Sequence, residues 1–162
     1  MRTLKGIVRL AFMPGNVDAG LLVLRLLAGG SLFIKHGWEK ITTFPAMAAH
    51  FPDPIHIGLV PSLVVALIGD AICSVLVAFG FCTRWAALFA AVNIAVAWSL
   101  VHHFAFFKKP QGDHGELCVL YIITFLALFL TGAGRFSLDA LISKAMTRPD
   151  DTIPESRQRT AV

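Results

Sequence analysis

Three polar residues stand inside long apolar runs: Arg25 in LLVLRLLAGGSLFI, Asp70 in SLVVALIGDAICSVLVAF and Asn93 in AALFAAVNIAVAW. An arginine at the centre of a bilayer costs at least ~2.5 kcal/mol on insertion scales, so a compensating partner is expected. With His36, Pro61 and His102 taken as the outer ends of their helices, ~1.5 Å per residue puts Arg25 at ~16 Å depth and Asp70 at ~14 Å, with Asn93 beside them. Arg25 and Asp70 are the opposite charges available at that level, so the sequence predicts an Arg25–Asp70 pair next to Asn93. Such a pair either fixes helix packing or serves as the catalytic element of a proton or quinone-headgroup site.

A second constellation gathers near the predicted outer surface: His36, Glu39, Lys40, His102, His103, His114 and Glu116, with Tyr121 just inside the last apolar run. Of these, His36, Lys40, His103, Glu116 and Tyr121 are the candidates to face a substrate or partner. His36, His102, His103 and Glu116 are weak metal candidates, because imidazole and carboxylate bind Zn²⁺, Cu²⁺ or iron and facing histidines bind haem. No HExxH, HxxxH or ExxH spacing supports them, and no metal site is assigned. The ordinary alternative is a set of interfacial side chains that snorkel to water.

The elements that must carry these residues follow from composition. Of 162 residues, 56% are hydrophobic and 15% are charged, against about 25% charged in soluble domains. A spanning helix takes about 20 apolar residues, so the length accommodates four. Spans are predicted over about 17–36, 61–81, 85–104 and 117–131. Residues 41–60 hold Pro45, Pro52 and Pro54 and read as a surface loop with one helical turn near Ala46–His50. GFCTRW makes a hairpin turn, and Gly132 and Gly134 stop the last span. Asn16 or Asp18 is placed to cap the first helix, and Ser137 a short amphipathic helix. The predicted fold is an all-α membrane protein, a four-transmembrane-helix bundle with short amphipathic helices at both ends. Residues 1–15 form an interfacial segment, 16–142 the helical domain and 143–162 a polar, mobile tail.

Four spans put both termini on one side with nine basic residues, against four on the other. The positive-inside rule then places both termini in the cytoplasm. The net charge of +4 is spread over both ends, which points to anionic lipid and away from nucleic acid. The three cysteines form no CxxC pair and read as small buried hydrophobes.

LLVLRLLAGGSLFIKHGWEK, Asp70 ahead of the GFCTR turn, GELCVLYI and GAGRFSLDALI together make the chain similar, over about residues 17–142, to the DoxX family of small four-span bacterial membrane proteins. The family usually carries Glu where this chain has Asp70, and a glycine pair where it has Cys73-Ser74. Carried over by position, its characteristic polar residues fall on Arg25, His36, Gly37, Lys40, Asp70 and Thr83, then on Arg84, Glu116, Tyr121, Arg135, Ser137 and Asp139. Arg84, Arg135 and Asp139, with Asn93, are expected to be structural. The resemblance implies a multi-pass protein of the bacterial inner membrane. Some relatives resemble membrane subunits of thiosulfate:quinone oxidoreductases, and others are linked to thiol redox and oxidative stress.

The expected function is therefore the membrane subunit of a quinone-linked redox complex. Its cofactor would be a quinone before a haem or metal ion, and its partners the lipid bilayer and either a second subunit or another copy of the chain. A small-molecule or metal transporter and a non-catalytic scaffold or assembly factor are the other classes.

Overall fold

The computed structural model describes residues 16–104 and 115–147. The predicted N-terminal amphipathic helix, His114 and most of the polar tail lie outside these residues. All regular structure among the described residues is helical: α1 (Val17–Thr42), α2 (Phe44–Ala48), α3 (Leu59–Phe79), α4 (Thr83–Val101), α5 (Gly115–Thr131) and α6 (Leu138–Met146). Three of these, α1, α3 and α4, are long and apolar enough to cross a membrane, and α5 is a shorter apolar helix. The four long helices pack in a ring, α1 on α3, α3 on α4, α4 on α5 and α5 on α1.

Local signals in the sequence set the helix ends. Asn16 caps α1 by accepting the Ala19 amide at 3.1 Å. Asp18 instead accepts the Arg135 amide at 2.8 Å and ties the start of α1 to the segment after α5. Gly80, at φ 73°, ends α3. There the Phe81 amide reaches back to the Leu76 carbonyl at 2.9 Å, the bond that closes a Schellman turn. Gly132 and Gly134, at φ 82° and 73°, turn the chain after α5. Ser137 caps α6 through the Ala140 amide at 3.1 Å, as its position predicts. Asp139 caps α4 from across the fold, accepting the amides of Cys82 at 2.7 Å and Thr83 at 3.0 Å. That carboxylate satisfies two orphan donors at a helix N-terminus.

Small residues set the packing. Ala86, Ala87, Ala90 and Ala91 of α4 are buried with Phe125 and Leu128 of α5, so the small face of α4 receives the large side chains of α5 and the two helices come close. Gly29 of α1 lies on α3: a Cβ there would stand 2.5 Å from the Ser74 carbonyl oxygen and 3.0 Å from the Ala78 nitrogen. Leu26, Leu27, Ile72, Val92, Ile123 and Leu130 point outward and are exposed, as lipid-facing positions are in an apolar solvent.

Two features depart from the predicted spans. The first helix does not stop at His36 but continues to Thr42, since no proline interrupts it before Pro45. At ~1.5 Å per residue the added turn and a half is ~9 Å. In addition, α1, α3 and α4 each contain one π-helical turn, at Phe33–Gly37, Ile68–Cys73 and Ala97–Val101. Each such turn takes an extra residue and shifts every face counted along a regular helix.

Candidate functional site

The predicted Arg25–Asp70 pair does not form. The cause is register along the antiparallel α1–α3 pair. Gly37 lies against the Asp70 backbone, with a virtual Cβ 2.6 Å from its carbonyl oxygen. Gly29 lies against Ser74 and Ala78, and Arg25 reaches Ala78 and Gly80. Arg25 is twelve residues, ~18 Å, from Gly37 along α1. It therefore sits at the far end of α3 from Asp70. Extension of α1 to Thr42 and its π turn bring Lys40, rather than Arg25, to the carboxylate.

Lys40 Nζ is 2.8 Å from Asp70 Oδ2, the one ion pair among the described residues, and the two side chains are 11% and 10% exposed. Asn93 Nδ2 donates to Asp70 Oδ1 at 3.0 Å, so Asn93 stands beside Asp70 as the sequence predicts. Three helices thus meet at one carboxylate. Two glycines permit the meeting: Gly37 on Asp70, and Gly69, where a Cβ would stand 2.5 Å from Asn93 Nδ2 and 2.7 Å from its Cγ. Ser74 Oγ donates to the Asp70 and Ala71 carbonyls, at 2.6 Å and 2.9 Å, the back-bonding that a serine within a helix commonly makes. Gly69→Ala is expected to push Asn93 off Asp70 and to cost about 1–3 kcal/mol. Thermal unfolding of the purified variant measures this.

This triad lines a cavity of about 260 Å³. His36, His102, Ser62 and Tyr121 add polar atoms to its wall, while Leu32, Val65, Ile94, Val96, Val101 and Leu117 make the rest apolar. All three π turns reach it, through His36, Asp70 and the Ala97–Val101 turn. Phe51, Pro52, Pro54 and Ile55 of the α2–α3 loop cover one side.

Asp53 pins that loop. It accepts Ser62 Oγ at 2.7 Å and the amides of Gly58 at 2.8 Å and Ile57 at 3.0 Å. The Ser62 hydrogen bond, followed by those two amides, holds its pKa below the ordinary Asp value of 3.8. A depressed folded-state pKa gives stability that is present above 3.8 and is lost as pH falls through the lower folded value. The loop is therefore expected to stay pinned at neutral pH and to loosen below about pH 4, read as faster amide exchange at Ile57 and Gly58. Asp53→Ala removes that acid dependence.

The remaining predicted residues divide cleanly. His36, Lys40, His102 and Tyr121 are at the cavity, whereas His103, Glu116 and Glu39 are exposed. Among the described residues no three His, Cys, Asp or Glu side chains converge as a metal-binding group. Tyr121 donates to Ser31 Oγ at 3.0 Å. Arg84 is exposed beside Gly132, and Arg135 is exposed, tied through its backbone to Asp18.

Arg25 has a different environment from the one predicted. It is fully buried. Nη1 donates to the Ala78 carbonyl at 3.3 Å and Nη2 to the Phe136 carbonyl at 2.5 Å. Its guanidinium packs directly on Gly80, at the C-terminal end of α3. The cation is thus met by a carbonyl in the last turn of α3, by one in the segment before α6 and by the negative end of the α3 dipole, and it clamps α1 to the α3–α4 turn and to that segment.

Sequence reasoning missed Ser62, the covering loop and the Lys40–Asp70 bond. One signal was available: His36 and Lys40 are four apart, so they share a face if the helix continues, and Pro45 is the first residue that stops it.

Three known proteins resemble the chain over most of its length. An uncharacterized protein of Haemophilus influenzae is 32% identical over 129 residues, covering 76% of this chain and 83% of its own. A second from the same organism is 33% identical over 112 residues, 67% of this chain and 80% of its own. The inner membrane protein YqjF of Escherichia coli is 33% identical over 131 residues, 78% of this chain and 95% of its own. No solved structure matches. The DoxX family profile matches residues 20–103, a stretch that holds α1, α3, α4 and the Lys40–Asp70–Asn93 triad, and the chain is a membrane protein that belongs to the DoxX family.

Proposed function

We propose that the cavity binds the polar head group of a small lipid-soluble molecule, a quinone first among them, and that the chain is the membrane subunit of a quinone-linked redox complex. The observation that carries this reading is a buried Lys40–Asp70 pair opening onto a largely apolar cavity with a few further polar side chains in its wall. At about 260 Å³ the space is just below the range of drug-sized ligand sites, about 300–1,000 Å³, and suits a single-ring head group. A ring carrying carbonyl oxygens fits its chemistry: apolar walls for the ring faces and a few convergent donors for the oxygens.

When bound, a quinone supplies a two-electron acceptor, and a protein partner would deliver the electrons. The chain's own residues bind and orient. Lys40 presents an ammonium donor, and Asp70 holds that ammonium in place. Asn93 fixes the free rotation of Asp70, while His36, His102 and Tyr121 offer further polar contacts around the wall. The Phe51–Ile55 loop excludes water from one side.

The same reading makes the protein multi-pass in the inner membrane, as the name of the Escherichia coli relative supports. In it α5 is a fourth span: 17 residues give ~26 Å of helix, short of a ~30 Å core and matched by local thinning. Arg84, Arg135 and Lys144, all exposed, lie in and after the turns at the Arg25 end, which by the positive-inside rule is the cytoplasmic end and gives cytoplasmic termini.

Titration of the purified chain in lipid nanodiscs with a dimethoxy-methyl-benzoquinone head group tests the site, read by quenching of Trp fluorescence. Saturable binding is expected. Linear, non-saturating quenching contradicts it.

A further inference from the structure

A second space adjoins the cavity. It is a shallow groove of about 250 Å³ between α1 and α5, walled by Leu24, Leu27 and Ala28 on one helix and Leu120 and Thr124 on the other. Leu117 and Tyr121 line both spaces. We propose that cavity and groove form one bipartite site for an amphiphile with a neutral polar head and a single apolar chain, the head at Lys40–Asp70 and the chain passing Tyr121 into the α1–α5 seam. This inference rests on the head-group reading above.

Four observations fix the class of occupant. Lys40 and Asp70 already neutralise each other at 2.8 Å, so a charged head would leave one of them uncompensated in an apolar site. The wall shared by the two spaces is the Tyr121 ring together with Leu117. Phe125 backs the Tyr121 ring in parallel, with centroids 6.0 Å apart and an interplanar angle of 14°, and one hydrogen bond from the Tyr121 hydroxyl to Ser31 Oγ tethers it. Polarity falls along the path from ion pair to hydroxyl pair to leucines, the order of an amphiphile's own atoms. Finally, the Phe51–Ile55 loop pinned by Asp53 covers another side of the cavity, whereas the α1–α5 contact is the least extensive in the ring. The groove faces where lipid lies, since Leu27 is 68% and Leu120 55% exposed.

The test uses the full chain in lipid nanodiscs and three probes: the benzoquinone head alone, the head with a decyl chain, and the decyl form with a diazirine on the chain. Illumination is expected to place adducts on Leu24–Ser31 and Leu120–Thr124, suppressed by the unlabelled decyl probe. Leu27→Trp fills the groove at an exposed position. It should cut those adducts by at least about fivefold while head-alone binding stays within about twofold. Adducts on residues 51–55 would overturn the bipartite site by sending the chain past the loop. Groove adducts that the decyl competitor does not suppress would overturn it as well, marking ordinary lipid contact. If the head alone fails to bind the wild type, the functional reading falls and the bipartite site with it. If the head binds and the adducts lie elsewhere, the bipartite site alone falls.

Discussion

Asp70→Asn is expected to destabilise the folded protein by about 3–5 kcal/mol, the usual cost of leaving one member of a buried ion pair without its counter-charge. The substitution keeps the shape and an acceptor for Asn93 Nδ2, so the loss isolates the stranded Lys40 ammonium. Lys40→Met strands the carboxylate and should cost a similar amount. The double variant, Lys40→Met with Asp70→Asn, removes both charges and keeps the Asn93 contact. It should recover most of the loss, because a neutral site of the same volume carries no desolvation penalty. Thermal unfolding of the four proteins in one detergent gives the coupling directly. Additive losses in the double variant would show that the two side chains do not depend on each other. Recovery of the fold without recovery of head-group binding would assign the pair to function as well as packing.

Arg25→Met should cost about 3 kcal/mol through a different mechanism, since it deletes charge-assisted hydrogen bonds to two carbonyls. Those carbonyls, of Ala78 and Phe136, belong to the end of α3 and the approach to α6, so the damage should localise there. Amide exchange is expected to rise around 78–84 and 136–140 and to stay unchanged at the cavity. Head-group affinity should therefore persist in whatever fraction remains folded. This separates Arg25 from Asp70, two residues that depth counting alone joins. The site offers no relief to a substitute on the other side of the contact, because Gly80 has a positive φ and the guanidinium occupies the space its Cβ would take.

The fold was largely legible, because lipid as solvent makes length and hydropathy strong signals and because helix ends obey local chemistry. Asn16, Gly80, Gly132 and Ser137 all act where their types predict. Register was not legible. The Arg25–Asp70 expectation failed because depth was counted from a helix end at His36, whereas α1 runs on to Thr42 and packs Gly37 on Asp70, so that Lys40, fifteen residues beyond Arg25, meets the carboxylate. Residue types set no such register; the fit of Gly37 on the Asp70 backbone and of Gly69 on Asn93 does, and a glycine says only that something comes close. The π turns carry no sequence mark either, although each sits at the cavity. Asp70 and Asn93 were nevertheless visible as polar residues in apolar runs, and His36, Lys40 and Tyr121 as polar residues at or just inside the predicted outer surface. What the sequence lacked was the pairing among them and the loop that covers them, both consequences of contacts between segments far apart in the chain.

If the Lys40–Asp70 pair holds a head group in addition to holding helices together, removing both charges must weaken head-group binding. The most direct measurement is the affinity of the benzoquinone head group for the wild type and for the Lys40→Met, Asp70→Asn double variant, both shown to be folded by the same unfolding temperature range. A loss of at least about tenfold in the double variant, equivalent to ~1.4 kcal/mol, with Arg25→Met unchanged, is the predicted result. Equal affinity in wild type and double variant would contradict it and leave the pair a packing device.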